Sequence, residues 1–81
     1  GANSTALGQG AAASGASSTA LGQGAQATSV NATAIGRGAT ASDEDALAVG
    51  QGAQATGFHS SAIGTQSVAS GRGATATGWQ A

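Results

Sequence analysis

The sequence predicts an all-β chain wound as a parallel solenoid of short two-strand coils. Three rows of residues predict it. Alanine recurs every seven residues without a miss, at Ala6, Ala13, Ala20, Ala27, Ala34, Ala41, Ala48, Ala55, Ala62, Ala69 and Ala76. Two positions before each stands another small residue, Ala or Ser, from Ser4 to Ala74. Two positions after each stands Gly, except at Ser29 and Asp43. A period kept this strictly makes the chain one repetitive object.

A seven-residue period first suggests a coiled coil, which needs two large apolar positions per heptad and helix-forming neighbours. This heptad carries Gly instead, at roughly 1 kcal/mol per residue in a helix interior. The small-x-small pattern has the period of a strand, and the glycine punctuates it with a turn. The residue after each alanine sets the longer period. It reads Leu7, Ser14, Leu21, Thr28, Ile35, Ser42, Val49, Thr56, Ile63, Ser70, Thr77, so aliphatic and hydroxyl residues alternate until the last. The repeat is therefore 14 residues, made of two unlike strands. The aliphatic strands read Ser-Thr-Ala-Leu-Gly at 4–8 and 18–22, Ala-Thr-Ala-Ile-Gly at 32–36, Ala-Leu-Ala-Val-Gly at 46–50 and Ser-Ala-Ile-Gly at 61–64. The hydroxyl strands read Ala-Gln-Ala-Thr at 25–28 and 53–56, Ala-Thr-Ala-Ser at 39–42 and Val-Ala-Ser at 68–70. About six such coils, stacked ~4.8 Å apart, give a rod on the order of 25–30 Å long.

Alternation assigns faces. The eleven alanines of the seven-residue row point into the coil, where only methyl-sized side chains let two sheets meet closely. Leu7, Leu21, Ile35, Val49 and Ile63, joined by Leu47, point outward as a continuous apolar stripe. Large exposed apolar patches mark interaction surfaces, and parallel copies packed around an axis bury a full-length stripe best. These six residues are therefore the predicted interface of a homo-oligomer. On the other strand Gln26, Thr28, Thr40, Ser42, Gln54, Thr56 and Ser70 form a polar outer row, the candidate ligand face.

Composition excludes several functions. The 81 residues suffice for one domain but contain few large apolar side chains, so stability rests on backbone hydrogen bonds and burial against other copies. Cysteine is absent, which removes disulfide and thiolate chemistry. The formal charge is −1, with two arginines and no lysine; nucleic-acid binding needs clustered cations. No apolar run approaches the ~20 residues of a membrane helix, so no membrane contact is expected from this segment. No signal peptide is read either. The chain begins and ends inside its own repeat, which predicts a segment of a longer protein.

Taken together, these residues resemble the head repeats of the YadA-like trimeric autotransporter adhesins. The matching stretches are Asn3-Ser4-Thr5-Ala6-Leu7-Gly8, Ser17-Ser18-Thr19-Ala20-Leu21-Gly22, Asn31-Ala32-Thr33-Ala34-Ile35-Gly36, Asp45-Ala46-Leu47-Ala48-Val49-Gly50 and His59-Ser60-Ser61-Ala62-Ile63-Gly64. The departure is the middle residue, usually Thr or Ser here where the family has Val. The resemblance spans residues 1–81. It implies a left-handed parallel β-roll, assembled side by side as a homotrimer. It also implies a head displayed on the surface of a Gram-negative bacterium, anchored in the outer membrane by other parts of the protein. Such heads attach to host matrix proteins or cells, or to one another.

The remaining distinctive residues carry little chemistry in sequence. His59 opens a coil in a turn, with no evident metal ligands nearby in the chain. Asp43-Glu44-Asp45 replaces the glycine punctuation and reads as a solvated acidic turn, without the Gly-containing loop of a calcium site. Arg37 and Arg72 lie in turns, and pairing with the acidic turn of a neighbouring subunit gives only about 0–1 kcal/mol. Phe58 and Trp79, beside glycine turns, fit packing against a neighbouring subunit or domain better than a binding hot spot. The Gly-x-Gly pairs precede no helix, so they are not phosphate loops. The expected function is a non-catalytic adhesin head without cofactors or metal. The alternative is a structural spacer in the fibre. An ice-binding solenoid is weaker, because the polar rows are mixed, and the six-residue period of left-handed β-helix acyltransferases is not the one seen.

Overall fold

The computed structural model describes residues 1–81. Short strands alternate along the chain in two lengths. Three-residue strands are β1 (Thr5–Leu7), β3 (Thr19–Leu21), β5 (Thr33–Ile35), β7 (Leu47–Val49), β9 (Ser61–Ile63) and β11 (Thr75–Thr77). Two-residue strands are β2 (Ala12–Ala13), β4 (Gln26–Ala27), β6 (Thr40–Ala41), β8 (Gln54–Ala55) and β10 (Val68–Ala69). The longer strands make a six-stranded sheet in order β1-β3-β5-β7-β9-β11, and the shorter ones a five-stranded sheet from β2 to β10. All pairings are parallel. Each strand thus crosses to the opposite sheet and returns beside its predecessor, which is a β-solenoid.

Two tight turns per coil make the crossing. The Ser18 N–H donates to the Gly15 carbonyl at 3.2 Å, and the Ala25 N–H donates to the Gly22 carbonyl at 3.2 Å. Of the two central residues only the second has positive φ, 59° at Ser17 and 71° at Gly24. This is the type II pattern. Before the longer strands that place is held by Asn3, Ser17, Asn31, Asp45, His59 and Gly73; before the shorter ones it is held by Gly10, Gly24, Gly38, Gly52 and Gln66, and Gln80 holds it in the turn after β11. The punctuating glycine is needed where the turn leaves the longer strand. Gly36 has φ of 125°, and a Cβ there would lie 2.6 Å from the Gly50 carbonyl in the next coil.

The core is a wall of methyl groups. Ala20, Ala27, Ala34, Ala41, Ala48, Ala55 and Ala62 are fully buried, and Ala69 nearly so, together with Ala25, Ala32, Ala39, Ala46 and Ala53. Ser18, Ser60 and Ser67 take equivalent buried places. Their hydroxyls are satisfied by the adjoining turns. Ser18 Oγ donates to the Gly15 carbonyl at 2.7 Å, Ser67 Oγ to the Gly64 carbonyl at 2.9 Å, and Ser60 Oγ accepts from the Gly57 N–H at 3.1 Å. The molecule measures 30 × 23 × 11 Å, and the thinnest extent bounds the sheet separation. In the outermost coils of residues 1–81 Ala6 is exposed, and Ala13 and Ala76 are half-buried.

Candidate binding surfaces

Register turns the outer residues of the six-stranded sheet into two straight rows. Thr5, Thr19, Thr33, Leu47, Ser61 and Thr75 form one; Leu7, Leu21, Ile35, Val49, Ile63 and Thr77 form the other. Leu7 is 61% exposed and Ile63 41%. Leu21, Ile35, Leu47 and Val49 are half-buried, flanked on both sides by their counterparts in adjoining strands. This face is an apolar band with a hydroxyl margin.

The five-stranded sheet presents a different surface. Ala12, Gln26, Thr40, Gln54 and Val68 lie in one row. Just beyond the strands, Thr28, Ser42 and Thr56 still donate their N–H groups to Ala41, Ala55 and Ala69 of the next coil at 3.0–3.1 Å. Their backbone is thereby held at regular spacing. Gln26, Thr28, Ser42, Gln54, Thr56 and Ser70 are exposed, and Thr40 is half-buried. Val68 is 48% exposed and interrupts the polar row.

The two turn edges collect the side chains that looked scattered in sequence. One edge carries Val30, Glu44, Phe58 and Arg72 at the second place of successive turns, with Asp45 and His59 at the third. The other carries Arg37 and Trp79 among glutamines, and Trp79 is 72% exposed. Phe58 and Trp79 thus lie on opposite edges, as do Arg37 and the acidic turn. Adjacent coils stack Asp45 against His59, with Oδ2 3.2 Å from Nε2. The His59 ring meets Phe58 edge to face, with centroids 4.1 Å apart, and the Arg72 guanidinium sits 5.3 Å from the centre of the Phe58 ring. On the other edge Gln80 Nε2 donates to Gln66 Oε1 at 3.0 Å. The residues next to His59 in the chain offer it no ligand partner. The signal lay in the period: His59 is one coil on from Asp45.

No cavity opens on the surface, so these faces and edges are what the chain offers to a partner. The YadA head domain repeat, a family described as two-copy, matches residues 1–25, 27–53 and 55–81. The chain belongs to the YadA head repeat family. The two unmatched residues, Gln26 and Gln54, occupy equivalent places in β4 and β8, so the YadA-type matches break at the same point of the solenoid each time. Membership supports a general role in adhesion and agrees with a non-enzymatic fold. No curated protein matches the chain.

Proposed function

We propose that this YadA-type chain is the non-catalytic head module of a trimeric adhesin on the surface of a Gram-negative bacterium, attaching it to host matrix, host cells or other bacteria. The observation that carries the reading is the contrast between the two sheets. Contiguous exposed apolar surface marks an interaction site. The six-stranded sheet has its inner face on the alanine wall and its outer face on an apolar band, so a second copy covers the band. The five-stranded sheet turns Gln, Thr and Ser outward and remains for the ligand. A uniform 14-residue coil, read from the alternation of aliphatic and hydroxyl residues, completes this reading with left-handed winding and threefold assembly, and those last two rest on the family resemblance. Many trimers on one cell would add avidity to weak individual contacts.

The test is adhesion by a surface-displayed protein carrying Gln26→Glu, Thr28→Glu, Gln54→Glu and Thr56→Glu together. The expected outcome is loss of binding to matrix proteins and cells, with circular dichroism and oligomeric state unchanged. Undiminished adhesion would overturn the assignment of this face and favour a spacer.

A further inference from the structure

We infer that Glu44, Asp45 and His59 form a binding site for a late first-row divalent cation, of the Zn²⁺ or Ni²⁺ class, bridging two successive coils. Their donor atoms all lie within 4.8 Å of one another. The 3.2 Å between His59 Nε2 and Asp45 Oδ2 matches the ligand-to-ligand edge, roughly 3–3.5 Å, that follows from Zn–N and Zn–O bonds of about 2.0–2.2 Å. Glu44 is exposed and closes the third position by rotating its side chain. The site is open to solvent, so water completes the coordination.

The donor set selects the metal. One imidazole with two carboxylates suits zinc, nickel or copper. Calcium wants six to eight oxygens, and only two carboxylates are available here. Asp43 is not among the donors that converge here; its Oδ1 accepts the Glu44 N–H at 2.7 Å. The local charge favours a cation as well. No arginine is ion-paired with these carboxylates, and Arg72 is held over Phe58 instead. Phe58 also steadies the imidazole by its edge-to-face contact.

The site is tested by titrating the folded protein with ZnCl₂ in a non-coordinating buffer, followed by calorimetry and by the thermal midpoint. The informative variants are His59→Asn and Asp45→Asn. Asparagine already stands at the same turn place, with positive φ, at Asn3 and Asn31, so both variants keep the backbone. The expected result is one Zn²⁺ per chain, a midpoint that rises with Zn²⁺, and affinity at least about tenfold weaker in each variant. Ni²⁺ should broaden the resonances of His59, the sole histidine. Absence of Zn²⁺ uptake, equal uptake by His59→Asn, or displacement by equimolar Ca²⁺ overturns the inference.

Discussion

At the scale of single residues, the turns decide what the chain can carry. Each turn needs one residue in the left-handed region, where L-residues are disfavoured by roughly 1–2 kcal/mol and Asn or Asp least so. Asn3, Asn31, Asp45 and His59 are of the residue types found there most often; Ser17, Gln66 and Gln80 meet that need at a cost. Ser17→Asn should therefore stabilise the protein, by up to about 1 kcal/mol. Gly36 faces a harder constraint, because φ is 125° and the next coil stands 2.6 Å from any added Cβ. Gly36→Ala should destabilise by about 2–3 kcal/mol. Denaturant midpoints measured side by side check both signs. A neutral Gly36→Ala would mean that the coils are stacked less closely than described.

At the scale of the strand, the inner and outer rows obey opposite rules. Ala34 in β5 is fully buried between the sheets, and its neighbours across the core are also alanines. Ala34→Leu adds three carbons where no space exists and should destabilise by roughly 3 kcal/mol, the upper end for overpacking. Gln26→Thr, on the exposed outer face of the other sheet where its neighbour in the row is already Thr40, should change stability by less than about 0.5 kcal/mol. Thermal unfolding of the pair checks the contrast. Such alternation is why the strands were legible in sequence: Ala, then a variable outer residue, then Gly, repeated without slippage. The burial of Ala20 to Ala69 and the polar outer row could be read from period alone. The turn edges could not be read by scanning nearest neighbours. Asp45 and His59 meet only because parallel stacking brings residues one coil apart together, and neither residue type belongs to the repeat. The separation of Phe58 from Trp79 was hidden for the same reason, since both look like residues next to a glycine turn.

At the scale of the whole molecule, stability and assembly are one question. The interior contributes methyl groups and backbone hydrogen bonds, while the large aliphatic side chains lie on an outer face. Burying a Leu or Ile fully contributes roughly 1.5–3 kcal/mol; Leu21, Ile35 and Val49 are already half-buried and gain toward the lower end on association, while Leu7 and Ile63 are exposed and gain more. Five of them still amount to a large part of a net stability of about 5–15 kcal/mol. The thermal midpoint should therefore rise with protein concentration, as linkage between folding and association requires. Ile35 sits midway along the band in β5, flanked by Leu21 and Val49. Ile35→Asp would bury one carboxylate per subunit in the proposed interface, at a cost of several kcal/mol each. If the proposed trimer forms, sedimentation of this variant should show monomers in its place, with the concentration dependence of unfolding gone. An Ile35→Asp protein that remains trimeric would place the assembly surface elsewhere, and the polar sheet or one of the turn edges would then be the face turned inward.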